Sequence, residues 1–323
     1  MREFFVNRRI LVTGGTGFIG SAAVRALVRA GAKVRVLDND SRGSRQRLAD
    51  VSQAIELVVG DIRDPAVARR AAEGQDAVLH LAAVNGTEFF YSKPDLVLEV
   101  AVKGMLNILD ACIENEVKEL FTASSSEVYQ TPQKIPTDEN VPLCVPDPLN
   151  PRYSYGGGKI ISELLTVNYG RKFFQRAVIF RPHNVYGPDM GREHVIPQLV
   201  LRMKELAERE AGRLSFPIQG TGQETRAFLY IDDFVEALLR VMERGMHLNI
   251  YHVGTTQETS IADLAYAIAR NLGRELLLIP GELTAGSTLR RCPDIQKLQA
   301  LGFAPEVSLE AGLARTVPWY LSH

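Results

Sequence analysis

The sequence predicts an α/β fold, a doubly wound parallel sheet with a smaller C-terminal lobe woven into it. Two observations carry that expectation. Short apolar runs of strand length alternate with helical stretches through about the first 180 residues, the pattern of a parallel sheet covered by helices on both faces. Polar and glycine-rich residues then gather at the C-terminal ends of those runs, the edge at which an open parallel sheet takes its ligands.

The predicted strands are Ile10 to Thr13, Val34 to Leu37, Glu56 to Val59, Ala77 to Leu79, Leu120 to Ala123 and Val178 to Phe180. Most are continuous apolar runs, as strands buried on both faces should be. The first is followed by Gly14-Gly15-Thr16-Gly17-Phe18-Ile19-Gly20, and then by a helix on which Ile19, Ala23, Ala26, Leu27 and Ala30 recur at helical spacing up to a cap at Gly31. A strand, a glycine turn and a helix N-terminus present free N–H groups and the positive end of a helix dipole to a pyrophosphate. The second strand ends at Asp38, 18 residues beyond Gly20. At that distance a carboxylate accepts hydrogen bonds from both adenosine ribose hydroxyls, which favours NAD over a 2′-phosphate, while Arg42 nearby keeps NADP as the minor reading.

Further strand ends carry Asp61-Ile62, His80-Leu81-Ala82-Ala83, Ser124-Ser125-Ser126 and Arg181-Pro182-His183-Asn184. Asp61 is read either as an acceptor for the adenine amino group or as a plain turn acid beside Asp64-Pro65. Ala82 and Ala83 are small enough to let a backbone approach a cofactor, and His80 is read as a structural histidine. Long helices are expected near Pro94 to Asn115 and Ser154 to Lys172, with apolar residues on more than one face. A second apolar stripe marks either a partner helix or deep burial. Beyond residue 182 the pattern loosens into a charged helix near Leu199 to Glu210, a strand and turn at Phe216 to Gly222, a helix opened by Asp232-Asp233, a strand at Tyr251 to Gly254, a Ser260-capped helix from Ile261 to Leu272 and a last helix near Leu309 to Leu321.

The 323 residues hold 37 Lys+Arg against 38 Asp+Glu, a net charge of −1, so no basic field recruits nucleic acid or an anionic membrane. Cys112, Cys144 and Cys292 lie far apart without a CxxC spacing, which speaks against a zinc site, any other metal centre of that kind and a disulfide framework. No stretch has the length of a membrane span and no signal-like apolar run opens the chain. The expectation is a soluble, cytoplasmic protein.

Tyr155-Gly156-Gly157-Gly158-Lys159 sets a phenol and an ammonium four residues apart, on one helix face. A cation beside a tyrosine stabilises the phenolate, so the pair can serve as a base. Three consecutive glycines each cost about 0.5–1 kcal/mol in a helix interior relative to alanine, which calls for something packed close against them. About thirty residues earlier, a serine at the end of the strand closing at Ala123 can donate to the same substrate oxygen.

GGTGFIG, HLAA, SSSEVY, YGGGK, RPHNVYGP and TRAFLYIDD occur in that order from Thr13 to Asp233. Together they resemble the extended short-chain dehydrogenase/reductases, and within them the NAD-dependent nucleotide-sugar epimerase, dehydratase and decarboxylase branch. The resemblance implies a Rossmann-type NAD-binding domain over 1–182 with a return segment near 225–255, a nucleotide-sugar lobe over 183–323 and a homodimer formed through two helices per subunit. It implies a catalytic set of Ser125, Tyr155, Lys159 and Glu127. NAD contacts are implied for Gly14, Gly17, Phe18, Ile19 and Gly20, for Asp38, Asn39, Asp61 and Ile62, and for Leu81, Ala82 and Ala83 together with Tyr155 and Lys159. Contacts to a nucleotide-diphosphate sugar are implied for Ser126, Asn184, Arg226 and one of Arg290 or Arg291.

Three departures bear on the reaction. Ala101 stands where relatives carry asparagine, and His183 where they carry an aromatic or small residue. The dehydratases read Thr-Asp-Glu where this chain has Ser125-Ser126-Glu127, so their proton-donating aspartate is missing. Decarboxylases carry Thr-Ser-Glu and an arginine before Pro-Asp, which Ser126-Glu127 and Arg291-Cys292-Pro293-Asp294 approach. The leading expectation is a 4-epimerase; the alternatives are a decarboxylase of the UDP-glucuronate type, a 4,6-dehydratase, and a non-catalytic NAD-binding regulator, against which the joint retention of Ser125, Tyr155 and Lys159 counts.

Overall fold

The computed structural model describes residues 3–282 and 288–323. Its first half runs β1 (Arg9–Thr13), α1 (Phe18–Arg29), β2 (Lys33–Asp38), β3 (Ile55–Val59), α2 (Pro65–Ala72), β4 (Ala77–His80), α3 (Thr87–Ser92), α4 (Pro94–Glu99), α5 (Met105–Glu114), β5 (Glu119–Ala123), α6 (Ser154–Phe173) and β6 (Arg176–Pro182). The second half runs β7 (Val185–Tyr186), α7 (Val195–Arg209), β8 (Leu214–Pro217), β9 (Thr225–Ala227), β10 (Leu229–Tyr230), α8 (Ile231–Arg244), β11 (Asn249–Val253), β12 (Glu258–Ser260), α9 (Ile261–Asn271), β13 (Leu276–Ile279), β14 (Arg290–Arg291), α10 (Gln296–Ala300) and α11 (Leu309–Ser322).

Seven strands form one sheet in the order β11-β6-β5-β4-β1-β2-β3, and every pairing within it is parallel. All six strands expected from the sequence are present in it. The strand expected at Tyr251 is its seventh, beside β6. Alternation along β1 shows why its apolar run is unbroken: Ile10 and Val12 enter the core that holds α1 and α8, while Leu11 enters the core that holds α2, α5 and Tyr155. The first of these cores continues without a break into α7, α9 and α11.

Helix ends follow ordinary capping chemistry. Ser260 Oγ accepts from Asp263 N at 3.0 Å at the start of α9, as its sequence position suggests. The acids opening α8 divide their work: Asp232 is paired with Arg315 at the surface, whereas buried Asp233 accepts from Glu306 N at 3.0 Å and Val307 N at 2.9 Å and so ties the approach to α11 onto α8. The helix expected over 94–115 is not continuous. A π turn at Val100–Gly104 separates α4 from α5, in the stretch where Ala101 meets α6. Such turns recur at functional sites, and Val100 borders the groove described next. No helix among the described residues is long and apolar enough to cross a membrane, and no group of His, Cys, Asp or Glu there could hold a metal ion.

Candidate active site

A groove runs along the C-terminal edge of the sheet. Its floor is the glycine turn between β1 and α1, where Gly14 takes φ +72° and a Cβ would stand 2.8 Å from Ala82 N. Only glycine fits there. Thr13 Oγ1 accepts from Ala82 N at 3.2 Å and meets His80 Nδ1 at 2.8 Å. His80 is therefore structural, as expected, and burial pushes its pKa down to about 3. Gly17, at the N-cap of α1, supplies no side-chain cap. Phe18, Ile19 and Gly20 of the first turn border the groove, and first-turn N–H groups have no partners inside the helix. An uncapped helix start facing a cleft is a fitting cradle for the NAD pyrophosphate.

Asp38 closes that end of the groove. One of its oxygens accepts from Thr16 N and the other from Asp40 N, both at 2.9 Å. The carboxylate thus fixes the glycine turn, and its remaining lone pairs are available to ribose hydroxyls. Asp61 also lines the groove, but its oxygens already accept from Arg63 and from Asn39 Nδ2 at 3.0 Å. Arg63 holds its pKa below the usual carboxylate range. Ile62, Leu81, Ala82 and Ala83 complete this wall. Arg42 lies at the same end, bound to Glu193.

Further along, Tyr155 in the first turn of α6 is 8% exposed and lines the groove together with Ser125, whose hydroxyl favours ionisation of the phenol. Phe90 of α3 stacks on its ring, with centroids 5.0 Å apart and planes at 15°. Lys159 lies one turn on, its Nζ 5.8 Å from the Tyr155 ring centroid and donating to Ala123 O at 2.7 Å. Burial acts on both groups in the direction of neutrality, raising Tyr155 to about 12, against the opposing effect of Ser125, and lowering Lys159 to about 8. The Glu163 carboxylate acts the other way on Lys159 and favours its ammonium form.

Two of the three glycines of the α6 run have the close neighbours that its sequence calls for, while a Cβ at Gly157 would meet only Val145 at 3.6 Å. A Cβ at Gly156 would stand 2.6 Å from Gln130 Nε2 and 2.9 Å from Glu127 O, and one at Gly158 would stand 2.8 Å from the Ala101 Cβ. The turn carrying Ser125, Ser126 and Glu127 and the π turn carrying Ala101 thus press directly on the helix that carries Tyr155 and Lys159. Ser125 Oγ accepts from Glu127 N at 3.1 Å, which orients the turn.

The far wall belongs to the C-terminal lobe. β14 pairs with β9 so that Arg291 lies beside Arg226 and Arg290 beside Thr225. Alternation then sends the two consecutive arginines to opposite faces. Arg291 Nη1 donates to Glu127 Oε1 at 2.6 Å across the groove; Arg226 does not itself line the groove, its Nη1 and Nη2 donating to Thr225 O at 2.8 Å and Thr288 O at 2.7 Å. Burial opposes ionisation of Glu127, yet Arg291 brings its pKa below the usual value. Burial and the Arg291 charge together lower Arg226 to about 10. Arg290 turns away to Glu258, at 2.6 Å, so the structure brings Arg291 and not Arg290 to the groove. Asn184 lines it as well, with Nδ2 donating to Ala227 O at 3.3 Å. His183, beside it, is buried edge-on to His252 at 4.6 Å, and its two ring nitrogens lack a hydrogen-bond partner among the described residues.

Sequence reasoning missed the layer beneath. Glu163 continues the Tyr155–Lys159 face by one more turn, a spacing that was there to be read. It accepts from Ser124 Oγ and takes both Arg181 Nε at 2.8 Å and Nη2 at 2.6 Å. Arg181 also donates to the Tyr129 hydroxyl, which meets His252 Nε2 at 2.6 Å. This buried chain joins α6, β6, β11 and the serine turn. Arg152, just before α6, was missed too; its Nε is buried without a hydrogen-bond partner among the described residues, within electrostatic reach of Glu127 and Arg226.

A UDP-N-acetyl-α-D-glucosaminuronate decarboxylase of Bacillus cytotoxicus is 30% identical, over 98% of this chain and 98% of its own. The crystal structure of a dTDP-glucose 4,6-dehydratase from Streptomyces venezuelae with NAD bound is 31% identical and superposes with a TM-score of 0.86, covering 98% of this chain and 97% of the other. That of a UDP-glucose 4-epimerase from Thermotoga maritima with UDP-glucose is 28% identical with a TM-score of 0.83, covering 97% and 99%. The model of the NAD dependent epimerase/dehydratase family matches residues 10–254. The glycine cradle, the Ser125–Tyr155–Lys159 set and these likenesses agree: the chain belongs to the NAD dependent epimerase/dehydratase family, uses NAD and is a nucleotide-sugar-modifying enzyme of that family.

Proposed function

We propose that the protein is a nucleotide-sugar 4-epimerase. The observation that carries this reading is the convergence of Ser125, Tyr155 and Lys159 on one groove, beside a Glu127 that Arg291 keeps ionised. When bound, NAD supplies a hydride acceptor and donor and, in its oxidised form, a positive charge. As its phenolate, Tyr155 takes the proton of the C4 hydroxyl, and the hydroxyl so formed returns it after the 4-keto sugar has turned over. Ser125 hydrogen-bonds the same oxygen, and the Lys159 ammonium offsets the phenolate that burial disfavours. Ser126 and an ionised Glu127 offer no proton to a departing hydroxyl at neutral pH, which speaks against dehydration. Arg291, Arg226 and Asn184 anchor the diphosphate, a task suited to forked guanidinium groups.

Decarboxylation is the second reading, and one feature favours it. Arg291 contacts the single carboxylate of Glu127, and the charges of Arg152 and Arg226 act on it as well, an excess of positive charge that would also receive a uronate carboxylate. Incubation with a panel of nucleotide sugars and uronates, with products read by NMR, separates the two. The 4-epimerase reading expects inversion at C4 without CO2, and a Glu127→Gln variant that retains a sizeable fraction of turnover. Stoichiometric CO2 from a nucleotide uronate, or a folded Glu127→Gln protein without activity, decides for the alternative.

The same reading includes a homodimer. Leu98 on α4 and Ile161 and Leu164 on α6 are exposed, on two helices that pack against each other, and a second copy would cover that apolar face. Sedimentation should give twice the chain mass, and Leu164→Glu should give the mass of one chain; a monomeric wild type would end this part of the reading.

A further inference from the structure

One wall of the groove has no part in the chemistry above. Arg42, beyond the end of β2, forms an ion pair with Glu193 in the loop between β7 and α7, and its guanidinium carbon lies 4.4 Å from the ring centroid of Phe89 in α3. The pair meets over Gly86, where a Cβ would stand 3.1 Å from Glu193 Oε1 and 3.2 Å from Arg42 Nη2. Arg42, Glu193 and Asp38 border the same groove. A second bridge ties the same two segments together: Arg47 Nε and Nη2 donate to the two carboxylate oxygens of Asp189 at 2.7 and 2.8 Å.

An arginine near the acid that ends the second strand is the residue a dinucleotide site uses to receive the 2′-phosphate of NADP. Here that arginine is engaged. One arm of its fork, Nη2, is taken by a carboxylate oxygen, its charge is offset there, and its flat face rests on an aromatic ring.

We propose that Glu193 is a determinant of cofactor choice: by holding Arg42 against Phe89 and offsetting its charge, it keeps the site selective for NAD over NADP. Asp38 opposes a 2′-phosphate by repulsion, and Glu193 withholds the cation that would offset that repulsion. Glu193 acts through Arg42 and is a positioning residue. The proposal rests on NAD as the cofactor and is independent of which sugar reaction follows.

The test compares wild type, Glu193→Gln, Arg42→Ala and the double variant. Dissociation constants for NADH and NADPH are read by nucleotide fluorescence, and the nucleotide extracted from freshly purified protein is identified as NAD(H) or NADP(H). Glu193→Gln is expected to shift the affinity ratio toward NADPH about tenfold, the mid-range of coupling between directly contacting charged residues. Extracted NADP(H) should rise with it. In the double variant the shift should vanish, because the freed cation is gone. The Arg47–Asp189 bridge keeps the loop docked, and a melting curve confirms that each variant is folded; Glu193→Ala is read in the same way should Gln melt early. An unchanged ratio with no rise in extracted NADP(H), or a shift that survives the loss of Arg42, overturns the proposal.

Discussion

Tyr155→Phe is expected to lower turnover by at least about 100-fold, the scale of a lost acid–base group, while leaving the fold and NAD binding in place. The substitution removes one oxygen from a ring that is otherwise retained. Phenylalanine keeps the stack on Phe90 at 5.0 Å and the volume beneath the serine turn. Ser125 still accepts from Glu127 N, so the turn keeps its shape. Stopped-time assays on the converted sugar, run beside a melting curve and a nucleotide-content measurement, give the result. Turnover near that of the wild type would remove Tyr155 from the mechanism.

Arg181→Met is expected to destabilise the protein by about 3–5 kcal/mol, because it leaves the Glu163 carboxylate charged and unpaired in the core. The side chains of Arg181 and Glu163 are only 2% and 5% exposed. Burial disfavours the charged form of Arg181, and Glu163 more than restores it. Combining Arg181→Met with Glu163→Gln removes both charges and should cost less than the sum of the two single changes. Urea unfolding of the four proteins provides the numbers. A single-variant loss below about 1 kcal/mol would mean that the pair is solvated in practice, contrary to its burial.

Local features of the chain were legible, and features set by pairing at a distance were not. The strands could be read because a buried parallel strand writes its burial as an unbroken apolar run, and the glycine cradle because its three parts are consecutive. The Gly156–Gly158 run announced a close neighbour without naming it. The neighbours are Glu127, Gln130 and Ala101, which reach α6 only once β5 and the π turn are in place. Arg290 and Arg291 could not be told apart because their phase depends on the register of β14 against β9, some 60 residues earlier in the chain. The Arg42–Glu193 pair spans 151 positions, and nothing periodic marks it. The π turn at Val100–Gly104 escaped because the apolar pattern on either side of it is helical.

The position of β11 in the large sheet has a consequence for how the protein is made. A ribosome that has released everything up to Pro182 has exposed six strands, with the edge of β6 still bare. The seventh, Asn249–Val253, pairs with it only after β7 to β10, α7 and α8 have been synthesised. During that interval an apolar parallel edge is open to any strand that meets it, which is the circumstance in which nascent α/β chains aggregate or recruit chaperones.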